Sequence, residues 1–199
     1  MGGGGDSRIP NYLKTVFDPA DVQVVIRTYD FDPEQGRSQI ERWVEELQPQ
    51  LIIGESLGAI QALRIRGIPQ LFVSPSLGAP EIMYRCRLLA LFPGGSWLLH
   101  QKFPVKEGDR QPLKFTWKVL RKYRAHGQAA LASIDPEGYY FAFFGKQDHY
   151  KASGVVRIDL WEKHFGQSYE EYDGTHFMEP EYIDSLLVPK IREVLALQN

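Results

Sequence analysis

Residues 51–63, LIIGESLGAIQAL, constrain the fold more than any other stretch of the chain. Three apolar residues run into Gly54-Glu55-Ser56-Leu57-Gly58, and small residues at helical spacing follow at once. That is a strand turning within one residue into a helix, with a serine at the corner. Glycine at both flanks suits such a turn, because a side chain there would meet the neighbouring strand or helix. Ser56 is therefore either poised for chemistry or a serine that happens to sit in a tight turn. The bare G-x-S-x-G spacing arises readily by chance, so the rest of the chain has to decide.

The surrounding pattern alternates strand and helix. Residues 22–28 (VQVVIRT) form a β-branched run that reads as a buried strand. In PEQGRSQIERWVEEL, residues Ile40, Trp43, Val44 and Leu47 fall at i, i+3, i+4 and i+7, one apolar stripe on a charged helix. Strands are expected over 51–53, 71–73, 139–144 and 168–172, and helices over 57–65 and in VVRIDLWEKHF. A terminal helix over 179–197 is expected to break or kink near Pro189. Short buried strands separated by amphipathic helices predict an α/β fold with a mostly parallel central sheet flanked by helices.

The length of 199 residues suits one domain, 1–199. Between LFVSPS and YYFAFF lies an excursion of about 60 residues, too long for a plain crossover. Its apolar helical stretches predict a cap or lid insertion over about residues 78–137.

A net charge of −2 argues against a nucleic-acid binder, and no apolar run approaches the ~20 residues that cross a bilayer. Cys86 is the only cysteine, so no intrachain disulfide or cysteine zinc site forms, and its expected role is packing. That usage fits a reducing cytoplasm. The start, MGGGGDSRIP, has neither the basic nor the apolar region of a signal peptide. Its four glycines are either a linker or a functional loop.

A serine nucleophile needs a base and an acid. Of the five histidines, His100 and His126 lie in the excursion, His149 adjoins Asp148, and His164 falls in a helical pattern. His176 stands apart in YDGTHF, a loop leaving the last expected strand. Asp148 ends the turn GKQD just past the strand YYFAFF. An aspartate in a turn is often only a turn former. Yet Ser56, Asp148 and His176 occur in the order Ser, Asp, His, each at the carboxyl end of a different expected strand, where open α/β sheets carry their sites. Asp173 is the second candidate acid, and it lies very close to His176 on the same loop.

These pieces resemble the α/β-hydrolase superfamily over nearly the whole chain. GGGGDSRIP matches the oxyanion loop, LIIGESLGAIQAL the nucleophile elbow, FFGKQDHY the acid turn and YDGTHF the histidine loop. The resemblance implies a serine hydrolase with catalytic Ser56, Asp148 and His176, an oxyanion hole from Leu57 and Gly3 or Gly4, and no metal or organic cofactor. It also implies a central strand ahead of the glycines, between VQVVIRT and LIIGE. Met1 would be that strand's last residue in a chain beginning upstream, which would leave room for a signal peptide ahead of it. Otherwise the flanking strands close up on each other.

The expected partner is a small acyl substrate, an ester or thioester. An excess of Lys102, Lys106, Arg110, Lys114, Lys118, Arg121, Lys122 and Arg124 over Glu107 and Asp109 is either a solvated lid face or an attraction for an anionic substrate or a membrane surface. Phe103, Phe115, Trp117, Leu120 and Tyr123 face either the core or an apolar acyl pocket. The rival function is a non-catalytic binding or scaffolding protein of the same fold.

Overall fold

A computed structural model describes residues 4–104 and 107–196. The chain opens with α1 (Arg8–Val16) and α2 (Pro33–Leu47), then β1 (Ile52–Glu55), α3 (Gly58–Ala62) and β2 (Gln70–Val73). The excursion holds α4 (Ala79–Cys86), a 3-10 turn (Leu89–Leu91), α5 (Gly95–Lys102), α6 (Trp117–Leu120) and α7 (Lys122–Ala132). β3 (Tyr140–Gly145), α8 (Ile158–Phe165), β4 (Tyr169–Tyr172), α9 (Pro180–Tyr182) and α10 (Val188–Val194) follow.

The strands make one parallel sheet in the order β1-β2-β3-β4, with Gly54, Phe72, Ala142 and Tyr169 in register. Alternation along each strand sends side chains to opposite faces. Leu71, Val73, Phe143 and Tyr172 pack on one side against Ile9 and Leu13 of α1 and Ile183, Leu187 and Ile191 near the end of the chain. Phe72, Ala142 and Phe144 pack on the other against Ile60, Leu63, Ala130 and Trp161. Burying each of these large side chains contributes on the order of 1.5–3 kcal/mol. Both faces are covered, which a parallel sheet requires.

A third cluster lies under the excursion: Phe31, Met83, Leu99, Leu113, Phe115, Val119, Leu120 and Tyr123, with Phe103 and Cys86 half-buried against it. Phe31 and Phe115 meet edge to face at 5.5 Å. Phe103, Phe115, Leu120 and Tyr123 thus build internal core, and Trp117 stands outside that cluster. Ion pairs close the seam to α2: Lys114 with Asp30, and Lys122 with both Asp32 and Glu34. Asp32 also caps α2 by accepting the Glu34 N–H.

Two expectations need correction. Residues 22–28 belong to no strand, and among the described residues they form no ladder with β1, which pairs with β2. Val22 and Val24 still pack on the α1 side, so the β-branched run finds its apolar face without a paired strand among the described residues. α3 is shorter than 57–65, ending at Ala62 with Leu63 as its cap. The terminal helix is interrupted near Pro189, as expected: residues Ile183–Leu187 form a widened π-type turn that runs directly into α10, of which Pro189 is the second residue. Pro189 has no N–H to give to the preceding turn, and that turn is where the helix widens. Among the described residues, no helix is long and apolar enough to cross a membrane.

Candidate active site

Ser56 lies between β1 and α3 with φ 52°, in the left-handed region that serine rarely adopts. Backbone bonds hold it there: its N–H donates to Val73 O at 3.0 Å, and its carbonyl accepts from the Ser76 N–H at 3.0 Å. The flanking glycines are not equivalent. A Cβ at Gly54 would lie 3.0 Å from Ala59 Cα and 3.1 Å from Phe72 Cδ1, whereas one at Gly58 would meet only the Tyr29 hydroxyl, at 3.5 Å. The close approach that demands glycine therefore exists at Gly54, and the expected clash at Gly58 does not.

His176 is buried in the loop after β4. Its Nε2 lies 2.9 Å from Ser56 Oγ, and its Nδ1 lies 2.7 Å from Asp148 Oδ2. The three side chains that the sequence singled out are thus brought into one hydrogen-bonded chain. Gly145, ending β3, permits it, because a Cβ there would overlap the carbonyls of Gly174 and Thr175. The histidine loop is fixed by Gln147 N–H donating to Gly174 O, Tyr172 hydroxyl to Thr175 O, and Thr175 hydroxyl to Glu179. Tyr150 stands edge-on to the imidazole at 4.6 Å.

Asp148 is buried, and burial works against its ionisation. The bond from His176, that ring's field and the Tyr150 N–H (2.8 Å to Oδ1) outweigh burial, and its carboxyl is held below the ordinary value. Asp173 takes no part: its carboxylate accepts from Gln147. His149 is exposed and stacks on Tyr150. His126 is buried in α7 against Gln61 at 3.1 Å, and burial drives its pKa down to about 4. His100 packs on Phe115.

Two serines after β2 escaped the sequence reading. Ser76 Oγ is buried 3.1 Å from Ser56 Oγ. Ser74 is buried with φ 45°, and its hydroxyl lies near Asp148 and Tyr172. Its dipole favours ionisation of both, yet it makes no hydrogen bond of good geometry. The only sequence signal for either was their position beyond a strand's carboxyl end.

The expected oxyanion donors fare unequally. The Leu57 N–H stands at the start of α3, where helical amides lack intrahelical acceptors. Gly3 lies outside the described residues. Gly4 donates instead to Ser7 Oγ at 3.1 Å, and Gly5 to Thr28 Oγ1 at 2.9 Å, so this loop is tied to its own turn and to the end of the 22–28 run. Among the described residues, no three His, Cys, Asp or Glu side chains converge as a metal-ligand set.

Among solved structures, the chain is similar to one of the metagenome-derived lipolytic enzymes LipS and LipT, with TM-score 0.50 and 14% identity over 82% of this chain and 72% of that one. It is also similar to a carboxylesterase of the ammonia-oxidizing thaumarchaeon Nitrososphaera gargenis, with TM-score 0.46 and 18% identity over 85% and 74% of the two chains. No protein-family model and no curated protein matches the sequence. The fold is that of the α/β-hydrolases.

Proposed function

We propose that the protein is a serine hydrolase that cleaves an ester or thioester of a small substrate through an acyl-enzyme. The observation that carries this reading is the chain Ser56 Oγ–His176 Nε2–His176 Nδ1–Asp148, at 2.9 and 2.7 Å. Ser56 Oγ attacks the acyl carbonyl while its proton passes to Nε2. Asp148 accepts from Nδ1–H, fixing the tautomer and stabilising the imidazolium. The Leu57 N–H faces the developing oxyanion. As the intermediate collapses, the bond to the alcohol or thiol breaks and Nε2–H protonates that leaving group. Water then attacks the acyl-Ser56 ester, giving up its proton to Nε2, and the acid departs with Ser56 restored.

One observation favours the rival reading of a non-catalytic binding protein: Gly4, an expected second oxyanion donor, is engaged by Ser7. Labelling with a fluorophosphonate, read by intact mass beside Ser56→Ala, separates the two. A single adduct lost in the variant supports the hydrolase, and turnover of an ester and thioester panel then identifies the acyl group. A folded chain that takes no adduct supports the binding protein.

A further inference from the structure

Leu88, Leu89, Leu91, Phe92, Trp97 and Leu98 are all exposed within one short helical hairpin, the 3-10 turn and α5. Phe92 is 68% exposed, Trp97 61% and Leu91 58%, values that place these side chains wholly outside the underlying core. α5 turns its other side inward: Leu99 is buried, and His100 packs on Phe115. Gly95 lies against the Leu89 carbonyl, which brings the two arms of the hairpin together into one patch. A contiguous apolar surface of this kind marks a docking site.

Charge says what docks. Residues 82–104 contain no carboxylate, nor do residues 110–134. The structure pairs Arg85 and Arg124 with Glu81, Lys114 with Asp30 and Lys122 with Asp32. Arg87, Lys102, Lys118 and Arg121 have no carboxylate partner among the described residues. The Arg87 guanidinium lies over the Tyr84 ring, 3.4 Å from its centroid, and that of Arg121 over Trp117 at 4.7 Å. In a chain of net charge −2, Lys102 thus stands unmatched at the end of α5 and Arg87 just ahead of the 3-10 turn, while Lys118 and Arg121 lie in and just after α6. A second copy docking face to face would set these cations against themselves. The hairpin's amides also bond within it, Phe92 to Leu89, Gly95 to Phe92 and Leu98 to Gly94, so the surface presents no free strand edge to a peptide.

We infer that this hairpin is a membrane-surface anchor, inserting Leu91, Phe92, Trp97 and Leu98 into the interface of an anionic bilayer while the cations meet lipid phosphates. The arrangement, aromatic and leucine side chains beside lysine and arginine, is that of an interfacial amphipathic segment. This inference is independent of the proposed chemistry at Ser56.

The test is co-sedimentation of the full chain with phosphatidylcholine–phosphatidylglycerol vesicles and with pure phosphatidylcholine vesicles. The expected result is pelleting with the anionic vesicles only, reversed by high salt. Partitioning should fall about tenfold for each of Phe92→Ser and Trp97→Ser. Lys102→Glu with Lys118→Glu should also weaken it while thermal melting is unchanged. Absence of pelleting with anionic vesicles overturns the inference. So does concentration-dependent dimerisation that Trp97→Ser abolishes, which assigns the patch to a second copy.

Discussion

The hydroxyls of Ser56 and Ser76 lie 3.1 Å apart, with Ser76 almost wholly buried. Proton accounting assigns the direction of that bond. With Asp148 accepting from Nδ1–H, the neutral imidazole has only a lone pair at Nε2, and the Ser56 hydroxyl must donate to it. Ser56 has no second hydrogen, so Ser76 donates to Ser56 Oγ. On the proposed chemistry, Ser76 orients the attacking oxygen and steadies the negative charge that builds on it. Ser76→Ala should lower kcat about tenfold with KM little changed, the worth of one hydrogen bond. Ser76→Cys fills the same space with a weak donor and should be slowed similarly. A cysteine variant as fast as the parent would show that Ser76 matters only for packing.

Asp148 gives a second test. Asn at this position keeps the shape but presents an amide N–H₂ or a neutral carbonyl to Nδ1, so the tautomer and the imidazolium both lose support. Asp148→Asn should cut ester turnover by roughly 10⁴-fold, and fluorophosphonate labelling should slow in parallel. The ionised carboxylate also contributes stability, because its pKa is lowered in the folded chain. That contribution is complete above the ordinary value of 3.8 and is lost as pH falls through the depressed one. Urea midpoints measured below pH 3.8 should therefore drop less steeply in Asp148→Asn than in the parent.

His126 acts over a milder range. Its folded pKa is about 4 against an ordinary 6.5, so between these values the unfolded chain binds a proton that the folded chain refuses. Stability is full above pH 6.5 and declines as pH falls toward 4, by roughly 3 kcal/mol in all. His126→Gln, which removes the titrating group at the Gln61 contact, should flatten the urea midpoint across this window. An unchanged slope would mean that His126 is not buried as a neutral ring.

Most of the sheet was legible because β1, β2 and β3 each carry an apolar run bounded by turn residues, a local signal, whereas β4, Tyr169–Tyr172, has only two tyrosines around two glutamates. Residues 22–28 carry the same signal and form no strand, since β-propensity describes the side chains and a ladder needs a neighbour. α1 went unnoticed because Pro10 and Asn11 interrupt a stripe that reduces to Ile9 and Leu13. The meeting of Ser56, Asp148 and His176 was legible from topology, each standing at a different strand's end. The Ser56–Ser76 contact was not, because two loops decide it and neither loop has a period. Gly4 marks the limit of motif reading: the glycines are there, but the amide turns to Ser7.

The two glycines around Ser56 make the last test, since the motif treats them alike and the packing does not. At Gly54, a methyl group would press on the backbone of Ala59 and on Phe72 from 3.0 and 3.1 Å, positions that neither can leave without moving α3 or the sheet. Gly54→Ala should cost about 1–3 kcal/mol and displace Ser56 from His176. At Gly58, the nearest atom is the Tyr29 hydroxyl at 3.5 Å, an ordinary contact, and the residue begins α3. Gly58→Ala should be neutral or stabilising by up to about 1 kcal/mol, because alanine loses less backbone freedom in a helix. Thermal melts and fluorophosphonate labelling of the pair decide it: loss of both in Gly54→Ala and retention of both in Gly58→Ala is the expected outcome. Equal damage from the two substitutions would mean that α3 sits closer to Tyr29 than the 3.5 Å contact allows, with both flanks of the turn under the same constraint.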